Sequence, residues 1–307
     1  NTGDIAWEAG LRYETTDIEI EDRGAGVTAE NDYAILLPSA HAKWSLTPED
    51  RLLASVGRTV RNPSYTFLSP ATLEEELGDN DFIGNPTLEP ETAWGLDIGY
   101  ERRLGRTGVF GVNFFYRDVQ DLIEVYNTGA PGVVAIEDYE DEIEEFLDEN
   151  PGADESTPGY PEFDPSAFVY SARNTGDGQV YGVEFDLSTP LTFVGLENTG
   201  VFVNYSWLDS QVEDEFGERM FNSQAESIFN VGFIHDIPTW AASFGVTYRD
   251  QGEAYSRVVS EEVVTTYGAD LEIFLEKRIG ERFTVRLTGS NLLDETKDEI
   301  FDKFDNA

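Results

Sequence analysis

Apolar residues recur at every second position along nearly the whole chain, the signature of strands buried on one face only. In Thr92 to Glu101, Trp94, Leu96, Ile98 and Tyr100 share one face, while Ala93, Gly95, Asp97, Gly99 and Glu101 share the other. The same split returns at Trp7/Ala9/Leu11/Tyr13, Phe110/Val112/Phe114/Tyr116, Tyr181/Val183/Phe185/Leu187, Val201/Val203/Tyr205/Trp207 and Ala242/Phe244/Val246/Tyr248. Helical periodicity is nearly absent. The pattern predicts an all-β chain of about eleven strands, near 3–20, 33–46, 51–62, 91–104, 108–126, 167–188, 200–213, 223–236, 240–256, 264–278 and 282–294.

The connections between these segments alternate in length. Short ones fall at 47–50, 105–107, 236–239 and 279–281, with 189–199 a longer member of the set; long ones fall at 21–32, 63–90, 127–166, 210–222 and 250–263. Short turns at one rim and long loops at the other are the arrangement of outer-membrane barrels. A soluble β-sandwich accounts for charge on the exposed face. It does not account for Tyr13, Trp44, Trp94, Tyr100, Tyr116, Trp207 and Tyr248 at strand ends of the apolar face, where amphipathic rings suit a membrane–water boundary. The expected fold is therefore an antiparallel transmembrane β-barrel with short periplasmic turns and long extracellular loops. Leu96, Ile98, Phe110, Val112, Phe114, Val203, Val231, Val246 and Leu271 are expected to face lipid. Arg12, Lys43, Arg61, Arg117, Arg249 and Arg286 are expected to face the lumen, with Asp97 and Glu272.

Composition narrows the picture. The 307 residues carry 61 acidic and 20 basic side chains, a formal charge of -41, which argues against a nucleic-acid partner. With 40% hydrophobic and 13% aromatic residues the chain has too much to bury to be an acidic disordered tail. No stretch approaches the ~18 consecutive apolar residues of a spanning helix, a test that barrels escape. Zero Cys excludes thiolate chemistry and disulfides, and His41 and His235 are far apart. His41 is expected to be a hydrogen-bonded lumen-wall residue. No G-x-S-x-G, H-E-x-x-H or P-loop is present. Asp270, Glu272 and Glu276 share a strand face, but beside lumen arginines they read as wall charges, so no catalytic residue, no enzyme activity and no cofactor is expected.

Five segments in order resemble the C-terminal half of the barrel of a TonB-dependent outer-membrane receptor. They are RTVRNPSYTFLSP at Arg58 to Pro70, NPTLEPETAWGLDIGYE at Asn85 to Glu101, GVNFFYRDVQDLIE at Gly111 to Glu124, GQVYGVEFDL at Gly178 to Leu187 and GSNLLD at Gly289 to Asp294. The resemblance implies a barrel of 22 strands behind an N-terminal plug. Residues 1–307 are then expected to be the C-terminal part of that barrel domain, with the plug, the energy-coupling box and the last strand outside this sequence. It also implies TonB-dependent active uptake of a scarce nutrient across the bacterial outer membrane, with a lean to ferric siderophores. The implied partners are a TonB-type coupling protein, a small molecule or metal chelate, and outer-membrane lipid. Alternatives are a passive porin, an autotransporter-type barrel, or a soluble acidic β-protein binding carbohydrate or calcium.

Ligand contact in such a protein belongs to the long loops and rim. Tyr65, Phe67, Phe82, Tyr126, Tyr139, Tyr160 and Phe163 are candidates to grip a ligand by stacking, or to pack within the loops, and Arg61 and Arg117 are the candidate rim cations. Glu137 to Asp164 holds 13 acidic residues and no Lys or Arg. Ile136, Ile143, Phe146 and Leu147 could make a short amphipathic helix inside this external loop, 127–166. The segment reads as a solvated, self-repelling loop or as carboxylates for Ca²⁺, although neither it nor GDNDF at Gly78 to Phe82 has EF-hand spacing, so metal binding stays open.

Overall fold

The computed structural model describes residues 4–24, 26–77, 79–214, 217–258 and 261–303. In chain order the elements are β1 (Ile5–Asp22), β2 (Val27–Ser45), β3 (Asp50–Arg61), α1 (Tyr65–Leu68), β4 (Thr72–Leu77), β5 (Asn80–Ile83), β6 (Glu91–Leu104), β7 (Gly108–Gln120), β8 (Ile123–Pro131), α2 (Val133–Glu149), β9 (Phe168–Asn174), β10 (Gly178–Pro190), β11 (Thr199–Asp214), β12 (Gly217–Arg219), β13 (Gln224–Ala225), β14 (Ser227–Ile237), β15 (Ala242–Gln251), β16 (Ala254–Val258), β17 (Glu261–Thr266), β18 (Asp270–Ile279), β19 (Phe283–Gly289) and β20 (Asp298–Lys303). One sheet runs β1-β2-β3-β6-β7-β10-β11-β14-β15-β18-β19, each strand antiparallel to the next, with β12 added to β11. These are the eleven long strands that the alternation predicts. The order starts at β1 and stops at β19, so the sheet is open.

Register carries one apolar phase across the whole sheet. Trp7, Ala42, Ala54, Ile98, Phe114, Val183 and Trp207 stand in one cross-strand row. Leu187, Val203, Val231, Tyr248 and Leu271 stand in another. All nine residues expected to face lipid fall in this phase, and Leu96 and Ile98 are 37% and 49% exposed instead of sealed in a protein core. The opposite phase is polar and internally paired. Asp97 accepts from Ser55 at 3.1 Å and from Arg117 at 2.8 Å, Asn113 donates to Glu184 at 3.2 Å, and Arg51 pairs with Glu101. Phe115, Phe202 and Phe274 break the alternation by lying on this phase. Each stands directly across from a glycine, Gly182, Gly232 and Gly245 respectively, and covers the bare backbone there.

Antiparallel connectivity puts the turns after β2, β6, β10, β14 and β18 at one end and the long loops at the other. Four expectations are corrected. The segment 21–32 is not a loop: β1 and β2 stay paired out to Asp22 and Val27. Above the spanning part Ile18, Ile20, Ile35 and Leu37 take the inward phase, where Ile35 and Leu37 are buried and Ile18 and Ile20 pack against the loop core, so burial extends the hairpin. The predicted strand 108–126 divides at Asp121, whose φ of 58° turns the chain between β7 and β8. The predicted strand 167–188 divides at Gly176, φ 142°, into β9 and β10, because β9 pairs inside the loops. The predicted strands 223–236, 240–256 and 264–278 each give up one end to a separate small sheet, β13-β16-β17-β20, and the predicted strand 282–294 stops at Gly289, the chain re-entering that small sheet at Asp298.

Candidate functional site

The two longest loops, β3–β6 and β7–β10, fold together at the long-loop end. They build a four-stranded sheet in the order β4-β5-β9-β8, in which β5 and β9 are parallel neighbours. Leu68, Phe82 and Leu88 from the first loop and Ile123, Tyr170 and Ala172 from the second form a buried cluster, with Ile18 and Ile20 of β1 against it. Removing this apolar surface from water drives the loops together. The β2 side chain Asn31 adds a hydrogen bond to the Leu88 carbonyl at 2.8 Å.

Helix α2 forms because Ala135, Tyr139, Ile143 and Phe146 recur at helical spacing, while nine of its other thirteen positions are acidic. Gly132 at its N-cap has no capping side chain. Asp81 of the first loop takes that role: 1% exposed, it accepts a hydrogen bond from the Val133 backbone N–H at 2.8 Å. Beyond the helix, the chain folds back through two ring pairs, Phe146 with Tyr160 at 5.6 Å and Tyr139 with Phe163 at 4.9 Å between centroids. Partial burial, with Tyr139 and Glu155 nearby, raises the Tyr160 phenol above its ordinary value. Hydrogen bonds from Ser156 and Thr157 hold the Asp154 carboxyl below the usual carboxylate value.

The nine candidate residues thus occupy different environments. Phe82 is 2% exposed in the loop core, with Phe67 5.5 Å away between ring centroids. Tyr139, Tyr160 and Phe163 fasten the segment after α2, and the Arg173 guanidinium lies 4.4 Å over the Tyr126 ring. Tyr65 on α1 is 76% exposed. Arg61 pairs with Glu91, whose carboxylate also accepts from the Ile123 N–H at 2.8 Å, so this charge joins β3, β6 and β8. Arg117 lies on the lumen wall, bonded to Asp97 and to the Leu96 carbonyl at 3.1 Å. His41, with Glu8, Ser55 and Asp97, lines a groove of about 390 Å³ on the same wall. Among the described residues no three His, Asp or Glu side chains converge as metal ligands.

Sequence reasoning passed over the side chains that join the loops. Asn80, Asn85 and Asn174 bond backbone across the loop boundary, and Arg219, its side chain 4% exposed, pairs with Glu124 of the β7–β10 loop. A helix whose cap position is Gly132 and whose first turn carries no acid was the one available signal that its cap comes from elsewhere.

The model of the TonB dependent receptor-like beta-barrel matches residues 2–292. No protein of curated function matches the chain by sequence. Among solved structures, the chain is similar to the FrpB iron transporter from Neisseria meningitidis, at 15% identity and a TM-score of 0.62 over 96% of this chain and 39% of that one. It is similar to a variant of the ferric enterobactin receptor PfeA from Pseudomonas aeruginosa, at 15% and 0.61 over 96% and 38%. It is also similar to the copper transporter OprC, at 14% and 0.66 over 97% and 41%. These likenesses show the fold, and the chain spans about two-fifths of the length of each.

Proposed function

The chain belongs to the TonB-dependent receptor β-barrel family, and on that premise we propose that it supplies the C-terminal wall and the ligand-capturing loops of a receptor that takes up a metal chelate of the ferric-siderophore class. The family is one of outer-membrane receptors, not of enzymes. In this reading a plug, the remaining strands and a TonB-type coupling protein complete the machine. The loops over the long-loop end capture the chelate, and energy transmitted to the plug opens the lumen. The observation that carries the reading is the folded assembly of the two longest loops on a sheet with a polar, internally paired inner face. Such a wall passes a hydrated solute, and loops on a rigid scaffold commonly carry binding.

The copper-transporter likeness raises a second cargo, a bare soft metal. Residues 1–307 hold no Cys, one Met and two separated His, so this part of the receptor favours an oxygen-rich chelate over a soft-ligand ion. The test is uptake of a panel of labelled ferric chelates by cells making the full-length receptor in a strain without its own iron receptors, with and without the coupling protein. Coupling-dependent uptake of at least one chelate is expected. Uptake that persists unchanged without coupling would point to a passive pore instead.

A further inference from the structure

We propose that the β3–β6 and β7–β10 loops are a single lid that opens and closes as one body, with Asp81 as the positioning residue that latches helix α2 to the first loop. Neither loop owns a core: the buried cluster takes Leu68, Phe82 and Leu88 from one and Ile123, Tyr170 and Ala172 from the other. Neither owns a complete sheet, because the parallel ladder Asp81↔Val169, Phe82↔Tyr170 and Ile83↔Ser171 crosses the boundary. Backbone groups are satisfied across the same seam. Asn80 accepts from the Phe168 N–H at 2.8 Å, Asn85 donates to the Ala172 carbonyl at 3.1 Å, and Asn174 exchanges bonds of 3.0 and 2.9 Å with the Glu89 backbone.

Separating the loops therefore exposes a shared core, splits a sheet and leaves buried polar groups unpaired at once. Cooperative units of this kind open together. The Asp81 carboxylate adds direction to the coupling, since it accepts from the orphan Val133 N–H at the positive end of the α2 dipole. A Cβ added at Gly132 would stand 3.4 Å from the Asp81 carboxylate, so the first loop also approaches the start of the helix closely. A ligand that touches either loop then shifts both, and the acidic helix cannot swing alone while Asp81 holds it.

The inference rests on the reading of these loops as the ligand-capturing cover, and the experiment separates the two. In the full-length receptor, hydrogen exchange followed by mass spectrometry is compared for wild type, Asp81→Ala and Asp81→Asn. Asp81→Ala is expected to speed exchange about tenfold across α2, β4, β5 and β9 together, with β6 and β10 unchanged, and Asp81→Asn, which keeps an acceptor oxygen, is expected to restore most of the protection. Faster exchange confined to the first turn of α2 would overturn the proposal. As a second arm, the double variant Ile83→Cys and Ser171→Cys pins the seam when oxidised. Chelate uptake equal in the oxidised and reduced states supports one moving body, and uptake lost only on oxidation refutes it. Absence of uptake in wild type as well speaks against the cargo reading, and the exchange data then decide the lid alone.

Discussion

Leu96 and Asp97 are neighbours in sequence and face opposite media, so the same new charge should carry different penalties on the two faces of this sheet. Arg in place of Leu96 is expected to destabilise the full barrel by about 2 to 4 kcal/mol near mid-membrane. Arg in place of lumen-facing Glu272 should cost much less. Equilibrium unfolding from lipid vesicles measures both, and equal losses would contradict the assignment of the faces. The glycines give a second contrast. A Cβ at Gly182 would press on the Trp207 carbonyl oxygen and fall 2.7 Å from the Phe115 ring, whereas one at Gly111 would meet nothing closer than 3.9 Å. Gly182→Ala is expected to cost about 1 to 3 kcal/mol through overpacking, with Gly111→Ala close to neutral in the same assay. The lipid face was legible because its apolar phase is unbroken. The phenylalanine lids over glycine were not, since Phe115 and Gly182 become neighbours only once the register of β7 and β10 is known.

Strands and loops differ in how they announce themselves. A spanning strand repeats its pattern over seven to nineteen residues and pairs with the next spanning strand along the chain, so eleven such strands could be read from alternation alone. The loop strands are short, and β5 and β9 pair across 88 residues, a parallel contact with no local signature. That is why 108–126 and 167–188 read as single strands and why the loop aromatics could be identified without their partners. Helix α2 was visible through Ile136, Ile143 and Phe146, but its length comes from the ring pairs and the borrowed cap. Because no spanning strand pairs with any residue of 137–164, deletion of that segment should leave barrel assembly intact, checked by heat-modifiable migration of the folded receptor. The turn after α2 should respond to acid. The depressed folded value of Asp154 means that its contribution is full above the ordinary Asp range and is lost as pH falls through the depressed value. Titration of the Asp154 carboxyl by carbon NMR should show a midpoint below that of an unstructured peptide covering 150–160.

Charge is segregated along the length of the whole molecule, and this has kinetic consequences. Residues 62–90 and 121–177 carry 22 acidic side chains and one basic, Arg173, whose guanidinium already lies over Tyr126. At the opposite, short-turn end Arg102, Arg103, Arg106, Lys277, Arg278 and Arg282 offset Glu49, Asp50, Glu197, Asp236 and Glu281, so the negative excess lies on the loops. In the proposed receptor a ligand arriving from outside would meet a negative field, because these loop cations are engaged: Arg219 on Glu124, Arg257 4.0 Å from Glu262, and Lys297 on Glu299. Fields of this kind act mainly on association rates and are screened within about 8 Å at physiological salt. Chelates of equal size but opposite net charge should therefore respond oppositely to salt. Raising ionic strength from about 10 mM to 150 mM should slow association of a cationic ferric chelate and speed that of an anionic one, with dissociation little changed for either. Stopped-flow quenching of receptor tryptophans would follow both. Rates that fall with salt for both chelates, or for neither, would mean that the acidic loops keep the surface soluble without ranking what reaches it.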